Sequence, residues 1–207
     1  MASLPPLSTI DPEGELLLEL DDLQRLSVEQ YLALLESGVL ESDAPVELLE
    51  GLLVKKMGKN PPHGTCIRKL ARLLTSLIGD HWSIHTQDPL QLPDGVPEPD
   101  LLVVQVEADD YAHRLPSAND VGLVIEVCDT TLRRDRGIKL RSYARAALRE
   151  YWIVNLRAQV VEVYTDPISE TQPPTYRQRR DFSAGEFIPV TLDGQLLGQI
   201  AVDAILV

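Results

Sequence analysis

The chain has 207 residues, 44% hydrophobic and 25% charged, globular proportions that supply a core for one domain and exclude pervasive disorder, collagen and a small disulfide scaffold. Its net charge of −13 is unevenly spread: residues 1–50 hold 12 Asp/Glu and one cation, Arg25, for a net of −11, and the remaining 157 residues net only −2. No stretch approaches the roughly 18–20 apolar residues of a membrane span. Met1–Pro6 lacks the basic flank and apolar stretch of a secretory signal, and Cys66 and Cys128 fit no metal or disulfide spacing. The expected setting is the reducing cytoplasm, with no membrane partner.

In chain order, residues 1–25 read as an acidic, irregular extension and 26–207 as a single domain. Ser27 opens a helix with a capping box to Gln30 and a staple between Leu26 and Tyr31; Val28, Tyr31, Leu32 and Leu35 follow at helical spacing, and Gly38 stands at its end. Val46–Lys56 reads as two short strands joined by a tight Glu50-Gly51 turn. After the Asn60-Pro61-Pro62 loop, a helix is expected from His63 to about Ile78, with Ile67, Leu70, Ala71, Leu74, Leu77 and Ile78 on one stripe. Strands are expected at Trp82–Gln87 and Asp100–Val106, with a turn at Asp94-Gly95 between them and a polar loop over 107–120. The apolar run Gly122–Cys128 suits a central strand covered on both faces. A helix is expected from about Asp135 to Arg149, turning Leu140, Tyr143, Ala144, Ala147 and Leu148 inward. Tyr151–Leu156 and Val160–Thr165 form a hairpin across Arg157-Ala158. Short strand-like pieces follow around Tyr176, Phe187-Ile188 and Ile200. The sum is a mixed α/β or α+β domain.

Glu126 is the informative residue. A carboxylate inside Leu-Val-Ile-Glu-Val is costly to bury without a partner, and strand alternation puts it on one face with Val124 and Cys128. Asp100 opens the preceding strand, after Val96-Pro97-Glu98-Pro99. If the two strands are neighbours, Asp100 and Glu126 converge at one end of the sheet. Two hard oxygen ligands there suit Mg²⁺ or Mn²⁺, which take one or two protein carboxylates plus water and substrate phosphate. The competing explanations are a buried Glu paired with an arginine and an Asp that caps a turn. Lys139, at the border of the buried stripe of its helix, can direct an ammonium toward the sheet and either help deprotonate water or stabilise charge. Its competing explanation is a surface pair with Asp135, worth a few tenths of a kcal/mol. Seven of the 19 basic residues fall between Arg133 and Arg149. That run is either a solvated helix face or a local phosphate-binding face, since distant charge is screened beyond roughly 8–10 Å. Trp82 and Trp152 are expected in the core, and Cys66 as a small buried side chain. His81, His85 and His113 share no ligand spacing. Arg177, Arg179 and Arg180 suit a charged strand edge. There is no Gly-rich phosphate loop, nucleophile elbow or zinc spacing.

Pro99-Asp100 followed by Val124-Ile125-Glu126-Val127-Cys128 resembles the PD-(D/E)xK arrangement of restriction-endonuclease-like nucleases. A longer set is more specific: Glu126-Val127-Cys128-Asp129-Thr130-Thr131, Asp135, Gly137-Ile138-Lys139-Leu140, Tyr143-Ala144 and Glu150-Tyr151-Trp152-Ile153-Val154. With Glu47-Leu48-Leu49-Glu50-Gly51 and His63, it is similar to the Uma-two family of endonucleases over about residues 26–165. The resemblance implies a restriction-endonuclease-like core, a mixed central sheet flanked by helices. It implies a Mg²⁺ or Mn²⁺ site formed by Asp100, Glu126 and a backbone carbonyl near Val127 or Cys128. Cys128 stands where the ExK pattern has its lysine, and a thiol cannot replace an ammonium; the family's migrated lysine matches Lys139. Glu47 matches an acidic position that supplies an outer-shell or second-metal ligand, and His63 a position beside the site. The implied activity is metal-dependent cleavage of DNA, with Arg133, Arg134, Arg136 and Arg141 on the duplex backbone and a homodimer to cut both strands. The alternative is a nuclease-fold module that has lost cleavage and serves interaction or assembly, consistent with the overall acidity and with Cys128.

Overall fold

The computed structural model describes residues 22–56, 58 and 60–206; most of the acidic extension expected over 1–25 lies outside them. The first described helix, α1 (Val28–Glu36), starts at the expected capping box: Ser27 Oγ accepts the Gln30 N–H and the Gln30 side chain accepts the Ser27 N–H. Strands β1 (Val46–Leu49) and β2 (Leu52–Lys55) pair antiparallel around Glu50 and Gly51, both at positive φ (46° and 78°). That is the two-residue turn whose twist matches a hairpin.

Helix α2 spans Pro61–Thr75, two residues earlier than expected, because Pro61 and Pro62 occupy its first positions and the Asn60 side chain caps it by accepting the His63 N–H. Proline lacks the N–H that a first helical turn leaves unpaired anyway, so the dipeptide starts the helix instead of preceding it. Strand β3 (Trp82–His85) stops short of the expected Gln87, which has φ +60°. Next come β4 (Leu101–Gln105) and β5 (Val121–Cys128).

The helix expected over Asp135–Arg149 differs most. It opens as α3 (Leu132–Arg134), passes through a π-helical turn at Asp135–Lys139, and continues as α4 (Leu140–Arg145). It stops there because Ala147 turns to φ +56°, which also leaves Ala147 exposed rather than inward; Leu148, past the turn, is still buried. Strands β6 (Glu150–Asn155), β7 (Val160–Ile168) and β8 (Thr175–Ser183) follow. The β6–β7 connection is the four residues 156–159, with Gln159 at φ +55°, longer than the expected Arg157-Ala158 turn. A second hairpin, β9 (Phe187–Leu192) with β10 (Gln195–Ala201), and the short α5 (Val202–Ile205) close the described chain.

Six strands form one mixed sheet in the order β3-β4-β5-β6-β7-β8, in which only β5 and β6 run parallel. Alternation along β5 splits the core into two layers. Leu123, Ile125 and Val127 face α2, the β9–β10 hairpin and α5, whereas Val124 and Cys128 face α4. A strand with apolar cover on both faces is the expected home of the continuous run 121–128. Trp152 is fully buried in the first layer and Trp82 packs against it, half-buried. At the sheet's outer edge, β8 carries Arg177, Arg179 and Arg180 exposed, as a charged edge should.

Strand β1 is docked onto the segment before β4. The Val96 N–H donates to the Leu48 carbonyl (2.8 Å), and a Cβ added at Gly95 would lie 2.5 Å from that oxygen. Only glycine allows this approach, and the approach brings Glu47 beside Glu98.

A candidate active site in a carboxylate-rich cleft

Antiparallel pairing of β4 with β5 puts Leu101 opposite Ile125. Asp100, just before β4, therefore lies beside the end of β5. Its Oδ2 accepts the Val127 N–H (2.9 Å) and contacts His63 Nε2 (3.0 Å), while its Oδ1 accepts from Gln87 Nε2 (3.3 Å). Glu126, on the α4 side of β5, is 4% exposed. Its Oε1 accepts from Lys139 Nζ (2.7 Å) and from the Tyr143 hydroxyl (2.7 Å); its Oε2 enters no hydrogen bond among the described residues. The partner of the buried acid is thus a lysine and a tyrosine, not an arginine.

Lys139 ends the π turn with its ammonium also 3.4 Å from Glu47 Oε2. Both Lys139 and Asp135 are buried, so the pair is no surface contact. Asp135 and Lys139 stand at the two ends of the π turn, a feature common where a helix serves a site. Asp135 Oδ2 accepts from Thr131 Oγ1 (2.5 Å). Glu47, at 3% exposure, accepts the Glu98 N–H (3.1 Å) and lies 3.7 Å from Arg134.

These groups line one cleft of about 210 Å³, with Asn60, His63 and Gln87 at its wall. Six carboxylates face it (Glu47, Glu98, Asp100, Asp129, Glu126 and Asp135) against three fixed cations (Lys56, Arg134 and Lys139). The local fields follow from that excess. Burial pushes the Glu126 carboxyl up to about 8, with Lys139 opposing and Asp100 adding to the rise. Burial raises Asp135 as well. It works the same way on Asp100, but the His63 contact, the Val127 N–H and the Lys139 charge outweigh it and hold that carboxyl below its ordinary value. Burial works against the Lys139 ammonium, yet Glu126, Glu47 and Asp135 hold it charged beyond the ordinary lysine range.

The donor set suits a hard divalent cation: Asp100 Oδ1 and Glu126 Oε2 are the oxygens least committed to the protein, in a cleft with surplus negative charge. No group of three or more His, Cys, Asp or Glu side chains among the described residues is arranged to hold a metal ion, so water and substrate would have to complete the shell. Of the two carbonyls left open by the sequence, that of Cys128 accepts the Leu156 N–H (2.9 Å) in the β5–β6 ladder. A strand residue's N–H and C=O point to the same side. The Val127 carbonyl therefore points with its N–H toward Asp100, and Val127 lines the cleft.

The structure thus brings Asp100, Glu126, Lys139, Glu47 and His63 together. Of the four arginines, it brings Arg133, Arg134 and Arg141 to one groove beside the cleft and leaves Arg136 outside it, and all but Arg133 also hold protein partners. Arg136 grips the buried Glu162 through Nε (2.9 Å) and Nη2 (2.5 Å), Arg141 pairs with Glu50 (2.8 Å), and Arg134 Nη1 donates to the Lys55 carbonyl (2.9 Å). Arg133 is exposed and has no ion pair among the described residues. Gln87 and the hydroxyl of Tyr143 were not anticipated as part of the site. Tyr143 was legible by spacing, four residues after Lys139 on the same face; Gln87 needed the β3–β4 register.

No curated protein matches the chain. The crystal structure of a putative nuclease belonging to DUF820 from Anabaena variabilis ATCC 29413 superposes with a TM-score of 0.63 at 14% sequence identity, covering 87% of this chain and 97% of that one. At that identity the likeness establishes the fold, a mixed six-stranded sheet with flanking helices. Residues 28–197 match the model of the Uma2 family, described as "Putative restriction endonuclease", and with that share of its length covered, the chain belongs to this family of nucleases.

Proposed function

We propose that the chain is a metal-dependent endonuclease of the PD-(D/E)xK type that hydrolyses DNA phosphodiester bonds. Asp100 and Glu126 would hold Mg²⁺ or Mn²⁺, with the Val127 carbonyl beside them. The observation that carries this reading is the meeting, in one cleft, of an acid before β4, an acid within β5 and an ammonium from the π turn. When bound, the ion supplies Lewis-acid stabilisation of the phosphoryl oxygens and a more acidic water.

The chain's own groups divide the remaining work. Lys139 is held as an ammonium by its carboxylate neighbours, so its part is to neutralise charge developing on the phosphate rather than to take a proton from water. Glu47 is the second carboxylate beside that ammonium, after Glu126. Lys139 and Tyr143 share Glu126 Oε1, leaving Oε2 for the ion. His63 and the Val127 N–H share Asp100 Oδ2 in the same manner. A shallow groove lined by Arg133, Arg134 and Arg141 continues from the cleft through Thr130 and Thr131. It is the reading's path for a DNA backbone, contacted through phosphate and without base readout. Cleavage of both strands would engage a homodimer.

The test is nicking of supercoiled plasmid with Mg²⁺ or Mn²⁺, set beside a thermal melt with and without the ion. The wild-type chain is expected to nick only with the ion and to gain thermal stability from it. Glu126→Ala and Asp100→Asn should fall to background in both readouts while remaining folded. Full metal-dependent nicking by Glu126→Ala would overturn the assignment. A chain retaining only an interaction role would show neither nicking nor a metal shift in the wild type.

A further inference from the structure

The β3–β4 ladder has His85 opposite Leu102 and Ile84 opposite Val103. Two residues further along the same register, Gln87 stands opposite Asp100, and its N–H donates to the Asp100 carbonyl (3.3 Å). Directly opposed residues bring their side chains within reach, and the Gln87 amide does reach Asp100 Oδ1 (3.3 Å). Gln87 is also one of eight non-glycine residues at positive φ among the described residues (+60°). A glycine would relieve that conformation at once, and strained backbone held in place at a cleft wall is a pointer to use. Gln87 lines the cleft and also borders the neighbouring groove beneath α1.

From this juxtaposition we infer that Gln87 is a positioning residue: its amide fixes the Asp100 carboxylate in the rotation that presents Oδ1 to a divalent cation. The inference rests on the metal-dependent reading above. With His63 and the Val127 N–H on Oδ2, Gln87 completes a two-sided hold on a side chain that has only two rotatable bonds. A carboxylate held on one oxygen alone would still swing its second oxygen out of line with Glu126. Outer partners of this kind are worth roughly 10–100-fold in metal affinity.

The experiment is Mn²⁺ titration by calorimetry on the full chain and on Gln87→Gly, Gln87→Asn and Asp100→Asn, with a thermal melt of each without metal. Gln87→Gly removes the amide and the strain together, so it should melt at or above the wild-type temperature and yet bind Mn²⁺ roughly ten-fold more weakly. Gln87→Asn tolerates the same backbone but reaches one methylene less, and should weaken binding similarly. In cleavage assays the Mn²⁺ concentration giving half-maximal rate should rise while the KM for DNA stays put. A Gln87→Gly chain that binds Mn²⁺ as the wild type does, alongside an Asp100→Asn chain that has lost binding, overturns the positioning role and leaves the metal site standing. Wild-type and Asp100→Asn chains that bind Mn²⁺ alike, or not at all, overturn the metal reading and the Gln87 role with it.

Discussion

Lys139 is a cation nearly removed from water, sandwiched between two acids that are nearly removed as well; side-chain exposures are 6% for Lys139, 6% for Glu126 and 3% for Glu47. A buried pair of this kind adds little over an apolar replacement, but removing one member strands the other. Lys139→Met is therefore expected to destabilise the metal-free chain by about 3 kcal/mol near neutral pH. The sign of its pH dependence follows from Glu126, whose carboxyl burial already pushes up to about 8 and which rises further once the ammonium is gone. A folded-state pKa above the unfolded one gives stability that is full below roughly pH 4.5 and lost as pH climbs through the folded value. Wild-type Glu126 loses stability over the same range up to about pH 8, so the deficit of Lys139→Met should be level to that pH and grow above it. Mg²⁺ should recover part of it, because the ion replaces the missing positive charge. Urea unfolding at pH 6.5 and pH 9.5, with and without Mg²⁺, measures all three effects; a deficit independent of both pH and Mg²⁺ would refute the electrostatic account.

Among the elements, the α3–π–α4 segment separates what is legible from what is not. Periodicity marked Leu140, Tyr143 and Ala144 as inward, and all three are buried. Periodicity also counted Ala147 inward, because a 3.6-residue repeat carries no information about a φ of +56° that ends the helix at Arg145. The π turn was equally invisible: it adds a residue to one turn without changing which residue types suit a helix. Asp135 and Lys139 stand at its two ends, both buried, and their four-residue spacing puts them on one face. The acids were more readable than the lysine for a physical reason. A carboxylate in an apolar strand violates a burial rule that composition exposes, whereas a lysine at the edge of a helical stripe violates none. Asp100 and Glu126 converge because β4 and β5 are antiparallel neighbours, a pairing the sequence allowed without requiring. Gly137, within the π turn, bears on the same element. It has ordinary negative φ, and a Cβ there would meet no atom within 4 Å. Gly137→Ala should therefore stabilise the fold by about 0.5–1 kcal/mol, the helical penalty of glycine against alanine. Chemical denaturation checks this, and a loss of stability would mean the π turn requires glycine's freedom.

At the scale of the whole molecule the question is how a chain of net charge −13 approaches a polyanion. A run of seven cations within 133–149 looks like an answer in sequence, but the fold assigns most of them elsewhere. Arg136 neutralises Glu162, which is fully buried on β7 and also accepts from the Tyr164 hydroxyl (2.7 Å). Arg141 and Arg145 tie the β1–β2 turn to α4 through Glu50, and Arg149 pairs with Asp193 (3.1 Å). Charge committed to internal partners releases no counterions when DNA arrives, so the salt dependence of binding should reflect only the few cations left at the cleft rim. Each phosphate neutralised contributes a slope of about −0.9 in log K against log salt for duplex DNA. Arg133→Ala should accordingly make the slope shallower by about 0.9 and leave the melting temperature unchanged. Arg136→Ala should do the reverse, lowering the melting temperature by taking the two-point partner from buried Glu162 and leaving it Arg179 at 3.4 Å, while the slope stays as it was. Fluorescence anisotropy of a labelled duplex in EDTA, over a salt series, separates the two. If Arg136→Ala instead removed a phosphate's worth of slope, the Arg136–Glu162 pair would have to open on binding, and the DNA path would run across α4 toward β7 and not along the groove beside Arg133.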